Sequence, residues 1–501
     1  MYKKLVTDYL DDVANNYPEK IGFEDENKSL SFSQFRKESK AIASQILCLG
    51  YTKKPIAVYL DKSVNCLVGA FGVVYSTNFY TILDTQMPIA RVEKICNILQ
   101  PSLIITDSEH VHDLDSIEVN KILLEDIDYD VINDQLLSKY SSHVIDTDIV
   151  YVLFTSGSTG NPKGVIISHR NIITYMEWSF KAFHFSENTV FGSQTPFYFS
   201  MSVLDIYQTI RCAGRLVVIP KMYFTFPMKL IPYLKEKEVN TIYWVPSALC
   251  QVANMGALVC PELSTLHTVL FAGEVMPTKQ LNMWRRALPT AMYANLFGPT
   301  EVTDICTYYI LDRELKDTES VPIGDACDNM NIFIINKEGK EVTGTEPGEM
   351  YVRGASVAYG YYNNPEKTSE AFVQNPLNNA YPETVYKTGD LVYRNELNEI
   401  IYISRKDFQI KHMGYRIELG EIEAAASSLS DIDRVCCVYD KINSYIVLYY
   451  TGEIELHDLK KGLRGLLPKY MLPNVYKKLD QMPLNLNGKI DRQSLLKEVE
   501  G

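Results

Sequence analysis

Residues 151–169, YVLFTSGSTGNPKGVIISH, constrain this chain more than any other stretch. Tyr151 to Phe154 and Val165 to Ile167 each read as a short buried strand. The ten residues between them hold three glycines, four hydroxyl side chains, one proline and one lysine, Lys163. Glycine lets backbone N–H groups come close to a phosphate, hydroxyls add donors, and the lysine adds positive charge. A polar hairpin turn is the plain alternative, because glycine and serine also dominate ordinary turns. The Walker pattern is excluded: it needs Gly-Lys-Ser/Thr opening a helix, and Lys163 is followed by Gly164 and a strand.

Length and charge narrow the surroundings of this loop. A chain of 501 residues exceeds one ordinary core and points to several domains. With 46% hydrophobic and 22% charged residues it reads as a soluble globular protein. A net charge of −13 argues against a nucleic-acid partner, which needs a basic face. No apolar run is long enough to span a membrane and no signal-peptide core follows Met1, so a cytoplasmic protein without a membrane partner is expected. The ten cysteines are scattered without a C-x-x-C pair, which suggests neither a zinc site nor a disulfide framework.

Strand candidates at Ile56–Tyr59, Thr81–Leu83 and Leu103–Ile105 alternate with helical segments, as crossover connections in an α/β sheet do. Residues 108–148 are polar and acidic and read as a surface excursion. After His169 the alternation resumes: a helix over about 170–182, another from Val203, then strands at Leu216–Ile219, Thr241–Val245 and Thr268–Phe271. Short strands and glycine-rich turns over 320–403 suggest a small β-rich subdomain. The expected architecture is therefore α/β: a large domain, 1–403, of two α/β layers and a β-rich subdomain. A small, mobile α+β domain, 404–501, follows it.

Asn295-Leu-Phe-Gly-Pro-Thr-Glu301 combines an amide, an aromatic ring, a tight turn, a hydroxyl and a carboxylate. Phe297 suits stacking on adenine, Asn295 its exocyclic amine, and Thr300 a phosphate or carboxylate oxygen. Glu301 is a hard oxygen ligand for Mg²⁺ held between protein and phosphates. Gly273-Glu274, after the strand ending at Phe271, would present backbone to a flat ring.

Taken with T-S-G-S-T-G-x-P-K-G at 155–164, the chain resembles the adenylate-forming ligases, most closely the D-alanine–carrier-protein ligases and the adenylation domains of peptide synthetases. The resemblance spans almost the whole chain, through motifs in order from 151 to 492. It implies binding of ATP and Mg²⁺, with Thr155, Ser156, Gly157, Ser158, Thr159, Gly160 and Lys163 at the phosphates. It also implies ribose contacts from Asp390 in Tyr386-Lys-Thr-Gly-Asp390 and from Arg405. Asp407 matches the hinge, Gly414 the glycine beside which a pantetheine arm passes, and Lys489 in Pro483-Leu-Asn-Leu-Asn-Gly-Lys489 the catalytic lysine. The family usually has tyrosine where this chain has Phe297.

The implied chemistry is acyl-adenylate formation with release of pyrophosphate, then transfer to the phosphopantetheine thiol of a separate carrier protein. An acyl-CoA ligase is the alternative of the same chemistry; an ATP-binding regulator without turnover is the alternative of another class. By the same matching, the acid pocket is formed by Phe199, Ser200, Met201, Leu204, Trp244, Leu270, Ala272, Leu296, Asp304 and Ile305. Two substitutions stand out. Ser200 replaces the aspartate that pairs with an α-ammonium, and Ala272 replaces a cysteine. An unpaired buried ammonium is costly, so the expected acid lacks an α-amino group. Asp304 adds a carboxylate where a neutral side chain is usual, which suits a β- or ω-amino acid or a substituted aryl acid.

Overall fold

The computed structural model describes residues 3–157, 160–259, 261–484 and 490–500. It divides into a larger unit (1–85, 99–154 and 164–406) and a smaller one (86–98, 155–163 and 407–501). The division falls at Asp407 and not at Ser404, because the strand Ile400–Arg405 still pairs with Thr384–Arg394.

Among the described residues, the larger unit holds three sheets. One has six strands; its parallel core contains Pro55–Tyr59, Phe79–Leu83 and Leu103–Thr106, each buried along its whole length. Such continuous apolar runs belong to parallel sheets covered on both faces. The acidic excursion contributes more than surface: Lys121–Leu123 adds an edge strand beside Leu103–Thr106, and Asp134–Ser141 is a helix. The second sheet has nine strands, including Val190–Ser193, Arg215–Val218, Thr241–Trp244, Thr268–Phe271 and Met292–Phe297. A third, antiparallel sheet over 330–405 is the β-rich subdomain that the short strands and glycine turns imply.

Local chemistry sets the helix starts that matter for the site. Ser168 caps His169–Ala182, accepting from the Asn171 N–H at 3.3 Å while Asn171 reaches back to the Ser168 N–H. The same Asn171 donates to the carbonyls of Ala355 and Val357, tying the helix to the third sheet's loops. His169 accepts from the Val6 N–H at 3.1 Å and anchors the first helix, Val6–Asn16.

In the smaller unit, the hairpin Gln409–His412/Tyr415–Glu418 leads into the helix Leu419–Ser427. A three-stranded sheet follows, formed by Arg434–Asp440, Tyr445–Thr451 and Val475–Lys478. Its core is formed by Ile417, Ile422, Leu448, Leu459, Leu463 and their neighbours.

Candidate functional site

Several of the residues expected to line the acid pocket are organised by strand register. Thr241–Trp244, Thr268–Phe271 and Met292–Phe297 lie side by side and parallel. Tyr243 pairs with Leu270, which pairs with Ala294; Trp244 pairs with Phe271, which pairs with Asn295. Side chains alternate faces along a strand. Tyr243, Leu270 and Leu296 therefore share one face, and Trp244, Phe271, Asn295 and Phe297 share the other.

Trp244, expected among the pocket residues, lies on the face opposite Leu270 and Leu296, and Tyr243, one residue earlier, shares theirs. The Trp244 indole N–H instead donates to the Gly192 carbonyl at 2.8 Å, and its ring meets Phe224 edge-on. Phase along the strand is the signal that identifies Tyr243.

Asp304 is buried and is held by three hydroxyls. Tyr175 donates to Oδ2 at 3.0 Å, Tyr243 to the same oxygen at 2.9 Å, and Ser200 to Oδ1 at 3.3 Å. Ser200 Oγ also lies 3.1 Å from Thr300 Oγ1. Burial, with Asp304 adjacent, pushes both phenols well above the ordinary tyrosine range, so they remain donors. Met201, Leu204, Ala272, Leu296 and Ile305 are buried and Phe199 is half-buried. Tyr175 has no motif around it and is reached only through the fold.

The residues matched to adenine and ribose lie on the opposite face and along the third sheet. Asn295 donates to the Pro322 carbonyl at 2.8 Å, and Phe297 packs against Tyr402 with ring centroids 5.7 Å apart. Gly273 has φ 92°, a left-handed turn, and the Glu274 carboxylate accepts from the Ser247 N–H near the start of the helix Pro246–Asn254. Asp390 and Arg405 come together as a buried ion pair at 3.1 Å, and Arg405 also donates to the Thr388 carbonyl at 2.8 Å. Glycine at 389 is required: φ is 76°, and a Cβ there would lie 2.8 Å from the Arg405 guanidinium. Glu301 is fully buried and accepts from the Tyr361 hydroxyl at 2.7 Å. A carboxylate here is the ligand type that Mg²⁺ takes, held by one or two carboxylates and substrate phosphates.

In the smaller unit, Ser156 Oγ donates to the Arg416 carbonyl at 2.7 Å, and the Gly157 N–H donates to Glu421. Glu421 also forms a buried ion pair with Arg91, which opposes the upward push of burial on its carboxyl. The Gly160 N–H donates to the Gly157 carbonyl at 3.0 Å, with Gly160 at φ 79°. The buried Thr155 hydroxyl has no hydrogen-bond partner among the described residues, as a group awaiting a ligand oxygen would. Lys163 is half-buried at the start of the strand Lys163–Ser168. Gly414 has a local reason to be glycine: with Met413 it closes the hairpin, at φ 80° and 52°. Asp407 accepts from the Gln409 N–H at 3.3 Å. Ser158, Thr159 and Lys489 lie outside the described residues. Among those described, no helix is long and apolar enough to cross a membrane.

A family profile described as AMP-binding enzyme matches residues 10–362. A mycosubtilin synthase of Bacillus subtilis is 31% identical over 98% of this chain, which spans only 19% of that protein. The D-alanine–D-alanyl carrier protein ligase of Bacillus licheniformis is 30% identical over 97% of this chain and 98% of its own length. Among solved structures, the Vibrio cholerae adenylation domain AlmE, in complex with a glycyl-adenosine-phosphate, superposes with a TM-score of 0.85. The two are 20% identical, with 99% of this chain and 98% of that one covered. At that identity the likeness carries the fold alone. The family match and the ligase covered almost end to end carry the rest: this chain belongs to the AMP-binding, adenylate-forming enzymes.

Proposed function

We propose that this enzyme adenylates a small carboxylic acid that carries an amino group away from its α-carbon, and passes the acyl group to a phosphopantetheine thiol on a separate carrier protein. In the first step a carboxylate oxygen bonds to the α-phosphorus of ATP and the bond to pyrophosphate breaks. In the second a thiol attacks the acyl carbon and AMP leaves. Asp390 and Arg405 hold the ribose, Phe297 and Asn295 meet the adenine, and the hydroxyls at 155–159 with Lys163 receive the phosphates. Mg²⁺ on Glu301 would neutralise phosphate charge. Thr300, beside Ser200, orients the attacking carboxylate, and Lys489 balances the charge that builds during displacement.

The observation that carries the choice of acid is the carboxylate of Asp304, 3.3 Å from the Ser200 hydroxyl. An ammonium in a dry pocket needs an anionic partner, and in this chain that partner comes from residue 304. Its position beyond Ser200 suits an amine one or more bonds further from the carboxyl than an α-amine. Carrier loading is supported by the carrier-protein ligase that the chain matches almost end to end.

The test offers the enzyme ATP, Mg²⁺ and phosphopantetheine with an equimolar mixture of β-alanine, γ-aminobutyrate, meta-aminobenzoate, propionate and both alanine enantiomers. Thioesters are identified by mass. Thioesters of the distal amines, formed with AMP, support the proposal; alanyl or propionyl thioesters as the main product overturn it.

A further inference from the structure

We propose that Tyr175 and Tyr243 are positioning residues that hold Asp304 as an ionised hydrogen-bond acceptor and so set the preference for an amine-bearing acid. The inference rests on the reading above, in which Asp304 meets the amine. It adds the two residues that make Asp304 able to do so.

The phenols arrive from unrelated elements, the helix His169–Ala182 and the strand Thr241–Trp244, and converge on one oxygen, at 3.0 and 2.9 Å. Each phenol carries a single proton, and each is aimed at Asp304 Oδ2. Ser200 takes the other oxygen. A carboxylate that accepts two or three hydrogen bonds is stabilised in its charged form. A protonated Asp304 would bring its own proton into a place already supplied with donors.

The backbone is bent to deliver this carboxylate. Asp304 has φ 79° and Thr303, a β-branched residue, has φ 57°, both left-handed. The Thr303 hydroxyl donates to the Ser356 carbonyl at 2.7 Å and holds the bend. Two consecutive residues in this region are a cost that is kept only where the surroundings over-determine it.

The other titratable groups around Asp304 are shifted by burial toward their neutral forms. On the helix Ser202–Cys212, burial pushes the Asp205 carboxyl up to about 8, with Asp304 adding and Lys62 opposing. Lys62 is itself pushed down to about 7 by burial, and its Nζ donates to the Ser193 carbonyl at 2.8 Å. Burial also raises Tyr151 and Cys327, again with Asp304 contributing. Near neutral pH, Asp205, Tyr151 and Cys327 are therefore largely uncharged.

The test uses the full chain as Tyr175→Phe, Tyr243→Phe and the double variant. Isotope-edited infrared spectra of enzyme with labelled aspartate, subtracted against Asp304→Asn, report whether residue 304 is carboxylate or acid. The double variant is expected to move that protonation midpoint up by about one pH unit or more. Followed across the pH range that spans the two midpoints, KM for the β-amino or aminoaryl acid should rise up to about tenfold where residue 304 is protonated in the variant and ionised in the native enzyme, with recovery at higher pH. KM for ATP should stay within about twofold, and KM for propionate should rise less than KM for the amine-bearing acid.

An unmoved midpoint overturns the proposal whichever acid is used, and so does an equal rise in KM for every acid. A moved midpoint with unchanged amine preference also overturns it, and shows that the fault lies in assigning the amine to Asp304. If the double variant folds poorly, each single variant must show a smaller shift in the same direction.

Discussion

At the scale of single residues, the proposed choice of acid turns on two neighbouring positions. On that reading Ser200 gives up the role of ammonium partner to Asp304, whose carboxylate lies 3.3 Å from the Ser200 hydroxyl. Ser200→Asp should therefore not create an α-amino-acid enzyme. Two carboxyls so close cannot both ionise, and the variant should lose activity on every acid. Ser200→Asp combined with Asp304→Val should gain pyrophosphate exchange with alanine, by about tenfold or more over native enzyme. Asp304→Ala alone should raise KM for the amine-bearing acid about ten- to hundredfold, the worth of one buried charged hydrogen bond, and leave KM for ATP unchanged. Initial-rate kinetics on the three variants check these outcomes together.

At the scale of elements, two contacts hold segments distant in sequence. His169 stays neutral because burial pushes its imidazole down to about 4 while it accepts from the Val6 N–H. The unfolded chain takes up that proton near pH 6.5 and the folded one does not until about 4. Stability is therefore lost as pH falls from 6.5 toward 4 and changes no further from this group below that, a total of about 3 kcal/mol. His169→Asn, which can still accept from Val6, should flatten that part of the pH–stability curve, measured by urea unfolding at a series of pH values. In the smaller unit, Arg91→Ala leaves Glu421 buried without its cation, a change of about 3–5 kcal/mol for such pairs. Glu421 would then take up a proton and weaken the bond it accepts from Gly157. Faster amide exchange at Gly157 and along Leu419–Ser427 is the expected result.

The motif-bearing segments and most strands were legible because apolar runs and glycine turns are local signals. Tyr243 was not, because a strand's phase is fixed by its neighbours. Trp244, one residue along, is equally apolar and points the other way. Tyr175 is an ordinary core aromatic in the sequence, and only the packing of its helix brings it to Asp304. The excursion at 108–148 hid an edge strand because Lys121–Leu123 is three residues long, too short for alternation to show.

At the scale of the whole molecule, the two half-reactions should be separable. Lys489→Ala should nearly abolish adenylate formation while still converting a preformed acyl-adenylate to thioester; equal loss of both would assign the lysine a structural role. Asp407→Pro, where the two units divide, fixes φ and removes an N–H. It should keep exchange and lose thioester formation. The most direct measurement of the central claim is acid-dependent exchange of labelled pyrophosphate into ATP by the native enzyme, with β-alanine, γ-aminobutyrate and meta-aminobenzoate run beside D- and L-alanine. Exchange with at least one distal amine is expected at about ten times the alanine rate or more. Efficient exchange with either alanine, or none with any acid bearing a distal amine, would contradict it.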